Sequence, residues 1–170
     1  ALVQQEAEPS AVTQDGVPVS VLLNAGLSLD IDSALLDCSD GVGLYRTEIP
    51  FMLQDGFPSE HEQSNRYRGI LTQYSSRQVC MRTLDIGGDK PLPYFPIAED
   101  NPFLGWRGIR ITLDHPELFI VQLKAMLRAS EGIDNLAIML PMIASIDEVK
   151  AARKLLDQAW LEISEELKLR

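Results

Sequence analysis

Short apolar runs alternate with helix signals along this chain, and that alternation constrains the fold more than any other feature. Four runs have the length and apolar character of strands covered on both faces, and they span residues 17–23, 41–48, 79–85 and 136–143. Capping residues or a helix-starting proline between them predict helices over residues 30–36, 59–74, 116–128 and 145–167. This order predicts parallel strands joined by right-handed crossover helices.

Four βα units fit two parallel architectures. A doubly wound sheet usually carries a glycine-rich phosphate loop after its first strand, but the segment 17–27 runs through Asn24-Ala25-Gly26 without that pattern. A (β/α)8 barrel needs about 250 residues for eight units. We therefore predict an α/β fold over residues 16–170 with about four βα units, which is half of a TIM-type (β/α)8 barrel. The polar segment 1–15 is expected to be a linker or a frayed N-terminal segment.

The acidic composition limits the partners of the chain. Its 25 Asp and Glu outnumber its 15 Lys and Arg, which gives a net charge of −10 over 170 residues. Such a charge repels nucleic acids and anionic lipid surfaces, so we expect no nucleic-acid and no membrane partner. No apolar run approaches the roughly 20 residues of a membrane span, and the first residues do not resemble a signal peptide. We therefore expect a cytoplasmic protein, and the missing initiator methionine favours a piece of a longer one.

Two of the predicted strands end alike, with Arg-Thr followed by a carboxylate. Arg46 precedes Glu48, and Arg82 precedes Asp85. The carboxyl ends of parallel strands are where functional groups collect, and an arginine in an apolar strand is costly unless an anion satisfies its donors. The pattern has two interpretations. Either the two arginines form a receptor for phosphate or carboxylate, or each pairs with its own acidic neighbour as a structural ion pair.

The segments after the third strand carry further charged residues. The sequence DIGGDK over 85–90 brings two glycines next to Lys90, but it lacks the Walker spacing, and a tight turn also accounts for the glycines. Arg107 and Arg110 are three residues apart and would share a face of a helical turn, whereas Trp106 is expected to pack. Cys38 and Cys80 show no CxxC spacing, so neither a zinc site nor a redox pair is indicated.

Three of these segments resemble the motifs of a known family. The segments are GVGLYRTEIPFM, MRTLDIGGDKPLPY and NPFLGWRGIRI, in that order. They resemble the phosphoenolpyruvate-utilising enzymes, specifically enzyme I of the bacterial phosphotransferase system. The sequence YRTEIPFMLQDGFPSE looks most like the nitrogen-regulatory paralogue of that enzyme. The resemblance extends over about residues 16 to 160.

The resemblance implies the N-terminal half of a barrel domain that binds phosphoenolpyruvate and Mg2+. In this family the phosphoryl group passes to a histidine on a separate domain and then to a histidine-containing phosphocarrier protein, and pyruvate is released. By similarity Arg46 and Arg82 would grip the phosphate, Arg107 would be a further phosphoryl contact, and Lys90 matches a family lysine. The family also forms homodimers through its barrel domain.

The resemblance also implies what this chain lacks. The metal ligands of the family, its acid cysteine and its phosphorylated histidine match no residue between Ala1 and Arg170, and neither His61 nor His115 fits that histidine. We therefore expect no catalytic and no metal-binding residue here, and no activity from the isolated chain. Two alternatives stay open: a piece of pyruvate phosphate dikinase or phosphoenolpyruvate synthase, and a non-catalytic module that senses phosphoenolpyruvate or mediates dimerisation.

Overall fold

A computed structural model describes most of the chain, namely residues 11–26, 39–88, 92–98, 100–101 and 104–168. The helix expected over 30–36, together with Cys38 and Lys90, lies outside the described residues. None of the helices in the described part is both long and apolar enough to cross a membrane.

The described residues contain six strands and five helices. The strands are β1 (Ala11–Val12), β2 (Pro18–Val19), β3 (Leu23–Ala25), β4 (Gly41–Arg46), β5 (Gln78–Arg82) and β6 (Leu136–Met139). The helices are α1 (Glu48–Met52), α2 (Glu60–Gln73), α3 (Ile109–Asp114), α4 (Pro116–Ala129) and α5 (Ile146–Lys168).

Four of the strands form a parallel sheet in the order β3-β4-β5-β6, so spatial order follows chain order. The longer helices pack side by side, α2 on α4 and α4 on α5. A parallel sheet that alternates with helices in this way is built from βα units. This architecture confirms the predicted fold class and is consistent with part of a TIM-type barrel.

The first predicted strand is wrong in its bounds. Pro18–Val19 pairs antiparallel with Ala11–Val12 around the turn at Gly16, and the parallel sheet begins only at Leu23. Val17, Val19 and Val21 are about half exposed, so their apolar side chains do not mark a strand covered on both faces. Since Pro18 has no N–H to donate, it suits this small hairpin better than the interior of a sheet.

The helix starts follow their local signals. At α2, Ser59 Oγ accepts from the Glu62 backbone N–H (3.3 Å), and the Ser59 backbone N–H donates to Glu62 Oε2 (2.8 Å). Ser145 and Glu148 make the same pair of bonds at α5, at 3.2 and 2.8 Å. Each pair is a capping box that satisfies two backbone donors. The helix start expected at Pro116 is also confirmed.

The core lies between the sheet and the helices. Val79 and Met81 of β5 are fully buried and pack against residues of α2 and α4, including Tyr67 and Met126. Successive side chains of a strand point to opposite faces, so Arg82 lies on the face of β5 away from these helices. Cys80 shares that face and is half-buried, and burial raises the pKa of its thiol.

Asn135 ties the end of α2 to the start of β6. Its Nδ2 donates to the backbone oxygens of Leu71 (3.0 Å), Tyr74 (2.7 Å) and Arg77 (3.1 Å). We predict that Asn135→Ala lowers the free energy of unfolding by about 2 kcal/mol, because buried carbonyls lose their donor. Urea unfolding measures the loss, with Asp134→Ala, an exposed neighbour, as the control. Equal losses in the two variants would contradict the prediction.

Candidate anion-binding site

Two arginines end neighbouring strands at the same level of the sheet. Arg46 is the last residue of β4 and Arg82 the last of β5, and the two are partners in the strand register. Neighbouring strands lie roughly 4.8 Å apart, so both arginine side chains start close together at the carboxyl ends of β4 and β5. The structure thus brings together the two arginines that the sequence placed at strand ends.

Arg82 lies between two buried carboxylates. Its Nη2 pairs with Glu48 Oε1, and its Nη1 lies 3.2 Å from Asp85 Oδ2. Only 1% of the Glu48 side chain and 5% of the Asp85 side chain are exposed. Buried carboxylates need such partners, because an uncompensated charge is costly away from water. The pair of Arg82 with Asp85 is therefore present, and Glu48 reaches across to the arginine of the next strand.

Arg107 joins the same group from the segment before α3. Its Nη2 lies 3.1 Å from Asp85 Oδ1 and 3.2 Å from Asp85 Oδ2. The Asp85 carboxylate is therefore shared by Arg82 and Arg107, which fixes the orientation of both guanidinium groups. Arg46, Arg82 and Arg107 together with Glu48 and Asp85 are called the arginine cluster below.

Arg110 does not belong to the arginine cluster. We expected it to share a helical face with Arg107, but α3 begins at Ile109, so Arg107 precedes the helix. The Arg110 Nη1 instead donates to the backbone oxygens of Leu104 and Gly105. The packing expected for Trp106 is present in the aromatic contacts of its indole ring.

Two glycines make room for the arginines. Gly87 has a φ of +109°, and a Cβ at this position would lie 2.7 Å from Arg107 Cβ. A Cβ on Gly26, just after β3, would lie 3.0 Å from both Nε and Nη2 of Arg46. Residues with a side chain would therefore push both arginines away from the backbone that now supports them.

The arginine cluster keeps unused donors. Within the described part of the chain, the Nε atoms of Arg46, Arg82 and Arg107 are buried and have no hydrogen-bond partner. Among the described residues, the cluster holds three arginines and two carboxylates, which gives this group an excess of positive charge. Buried donors without acceptors are costly, so this arrangement suits an anion that brings its own oxygen atoms.

The sequence did not single out Gln122 of α4. It is 2% exposed, and its Nε2 donates to Thr47 Oγ1 (3.0 Å) while its Oε1 accepts from the Leu84 backbone N–H (2.8 Å). Thr47 follows Arg46 directly, and its hydroxyl donates to the Arg82 backbone oxygen (2.7 Å). The only signal in the sequence is an amide within the apolar face of a helix, which by itself does not show what it bonds.

The described residues do not fit a magnesium site. No three His, Cys, Asp or Glu side chains among them lie close enough together to hold a metal ion. Of the described acidic groups, Glu48 and Asp85 pair with Arg82. His61 and His115 lie elsewhere, in contact with Asn65 and Glu117.

We predict that Gly87→Ala destabilises the chain more than Gly132→Ala. Both glycines have a positive φ, which costs another residue roughly 1–2 kcal/mol. Only at Gly87 does the added Cβ also meet Arg107, since nothing lies within 4 Å of a Cβ at Gly132. Urea unfolding of the two variants measures the difference. Losses of the same size would show that the close approach to Arg107 contributes nothing.

Comparisons with known proteins show which family the chain belongs to. The whole chain, residues 1–170, matches the family model described as PEP-utilising enzyme, PEP-binding domain. A Salmonella typhimurium protein named Phosphoenolpyruvate-dependent phosphotransferase system is 53% identical over 174 residues, which cover 96% of this chain and 23% of that protein. A Staphylococcus carnosus Phosphoenolpyruvate-protein phosphotransferase is 43% identical, with 96% of this chain and 28% of that protein covered. The chain thus spans about a quarter of the length of these relatives, and it belongs to the PEP-utilising enzymes.

Proposed function

We propose that the arginine cluster binds phosphoenolpyruvate and that the chain is part of a phosphoenolpyruvate-protein phosphotransferase. The observation that carries the proposal is the set of three half-buried arginines whose buried Nε atoms have no hydrogen-bond partner within the described residues. The family match and the printed names of the relatives support the same ligand. In a chain with a net charge of −10, such a local concentration of arginines favours a specific anion as its ligand.

The ligand and the site are complementary in charge. Phosphoenolpyruvate carries a phosphate and a carboxylate, and arginine binds both with planar, always charged donors. Arg46 and Arg82 are proposed to hold the phosphate and Arg107 to make a further phosphoryl contact. Because Asp85 already orients Arg82 and Arg107, these groups lose little freedom when the ligand binds. Lys90, outside the described residues, is proposed to join them.

The proposed reaction needs groups from the longer protein. The bond between phosphorus and the enol oxygen breaks, a bond between phosphorus and a histidine nitrogen forms, and the enolate takes up a proton to become pyruvate. The phosphoryl group then moves from that histidine to a histidine-containing phosphocarrier protein. In this scheme the arginines stabilise charge on the phosphoryl oxygens. The acceptor histidine, the proton donor and the residues that bind Mg2+ are assigned to parts outside this chain.

Three finer assignments belong to the same proposal. The sequence YRTEIPFMLQDGFPSE supports assignment of the chain to the nitrogen-regulatory branch of the family. The resemblance to enzyme I supports a homodimer of the longer protein. The acidic composition argues against nucleic-acid and membrane partners, and a cytoplasmic location is proposed with them.

Calorimetric titration of the chain with phosphoenolpyruvate tests the ligand. A hydrogen bond to a charged group contributes about 1.5–3 kcal/mol. We therefore predict that Arg46→Ala and Arg82→Ala each raise the Kd roughly tenfold or more. Arg110→Ala is the matched control, since its guanidinium group binds backbone oxygens and is 31% exposed. We expect its Kd to stay within about twofold of the wild-type value.

The titration has a clear negative outcome. If both Arg46→Ala and Arg82→Ala bind phosphoenolpyruvate as the wild type does, the arginine cluster is not the site. Circular dichroism of each variant separates lost binding from lost folding. If Arg82→Ala does not fold, because Glu48 and Asp85 both lose the ion pair with Arg82, Arg46→Ala decides the outcome.

We also predict that the 170-residue chain does not transfer phosphate by itself. The residues that would accept the phosphoryl group and bind the metal are assigned to parts of the longer protein, so binding should occur without turnover. The measurement is the transfer of labelled phosphate from phosphoenolpyruvate to a phosphocarrier protein in the presence of Mg2+. Transfer by the isolated chain would contradict this division of the active site.

A further inference from the structure

A buried network of side chains connects α4 to both arginine-bearing strand ends. Gln122 lies at its centre and uses both ends of its amide group. Its Nε2 donates to Thr47 Oγ1 (3.0 Å) and to the Tyr67 hydroxyl (3.1 Å), and its Oε1 accepts from the Leu84 backbone N–H (2.8 Å). An amide buried in an apolar helix face is costly unless its donors and acceptor are satisfied, as they are here.

The bonds of Gln122 act where the strand ladder stops. The last register pair of β4 and β5 is Arg46 with Arg82. One residue further, the Thr47 hydroxyl donates to the Arg82 backbone oxygen (2.7 Å) and accepts from Gln122. Leu84, two residues after Arg82, donates to the same amide. Gln122 therefore connects the segments that immediately follow the two arginines.

The far side of the network fixes the direction of these bonds. The Tyr67 hydroxyl donates to Gln63 Oε1 (3.1 Å), and Gln63 Nε2 donates to the Pro58 backbone oxygen (2.9 Å). Burial raises the pKa of Tyr67, so its hydroxyl keeps the proton that it donates. Tyr67 can then only accept from Gln122, which sets the amide in one orientation. A reversed amide would also place its NH2 group against the Leu84 N–H.

We propose that Gln122 is a positioning residue for phosphoenolpyruvate binding, because it holds the ends of β4 and β5 at the spacing that lets Arg46 and Arg82 grip one phosphate. The inference rests on the proposed function. It adds a residue that contacts the strand ends through the Thr47 hydroxyl and the Leu84 backbone N–H. No bond of Gln122 ends on an arginine side chain of the cluster. Its contribution is therefore to geometry, and small displacements of binding groups have large effects.

The variant Gln122→Met tests this role because methionine keeps the length of the side chain and removes the hydrogen bonds of the amide. We expect the Kd for phosphoenolpyruvate, measured by calorimetry on the 170-residue chain well below its melting temperature, to rise about tenfold. The matched control is Met126→Ala, a fully buried position one turn later on α4. Met126→Ala should lower the melting temperature, yet its Kd should stay within about twofold of wild type.

A double variant separates positioning from a general loss of packing. Thr47→Val removes only the hydroxyl that links Gln122 to Arg82, and it should weaken binding by itself. If Gln122 acts through Thr47, the increases in Kd caused by Gln122→Met and Thr47→Val do not multiply. The Kd of the double variant then equals about that of the single variant with the higher Kd. Effects that multiply would overturn the proposed route.

Each remaining outcome decides a separate point. A folded Gln122→Met chain with wild-type affinity overturns the positioning role, even where Arg46→Ala weakens binding. If Gln122→Met does not fold, Thr47→Val decides, and an unchanged affinity of that variant for phosphoenolpyruvate overturns the positioning role of Gln122. A wild-type chain that binds no phosphoenolpyruvate overturns the proposed function first, and the inference with it.

Discussion

The Asp85 carboxylate is buried between Arg82 and Arg107, and the candidate site is arranged around this contact. Asp85 follows β5, whereas Arg107 precedes α3, so one carboxylate connects two segments that are distant in sequence. With Glu48 on its other side, Arg82 is held in place without any ligand. Compensated charges are what make a half-buried group of arginines tolerable in the unliganded protein.

The strand ends are held from two directions. On the face away from the helices, carboxylates orient the guanidinium groups. On the helix side, the Thr47 hydroxyl donates to the Arg82 backbone oxygen, and Gln122 bonds the Thr47 hydroxyl and the Leu84 backbone N–H. Glycines at 26 and 87 allow the arginines to approach the backbone closely. Side-chain orientation and backbone spacing are therefore controlled by different residues, which allows each to be altered separately by mutation.

Charge is distributed unevenly in this molecule. The chain carries a net charge of −10, while the arginine cluster holds more arginines than carboxylates. A negative surface opposes the approach of anions in general, so affinity for one anion must come from short-range contacts within the cluster. The proposed function assigns the residues that complete the reaction to a longer protein, and the chain spans about a quarter of the length of its relatives.

Local signals predicted most of the fold. The parallel arrangement, both capping boxes and the start of α4 at Pro116 follow from periodicity and residue type, which act over a few neighbouring residues. The first strand was wrong because three exposed valines beside Pro18 give the same apolar pattern as a buried strand. The helical face expected to be shared by Arg107 and Arg110 was wrong, because the spacing of the two residues does not show where a helix begins.

The sequence by itself thus determined the order of strands and helices and the two arginines at neighbouring strand ends. Only the tertiary structure decided that Glu48 meets Arg82, 34 residues away, and that Gln122 meets Thr47, 75 residues away. Sequence spacing does not specify a partner at such separations. The partner is set by how the helices pack on the sheet, because packing alone brings these polar groups within hydrogen-bonding distance.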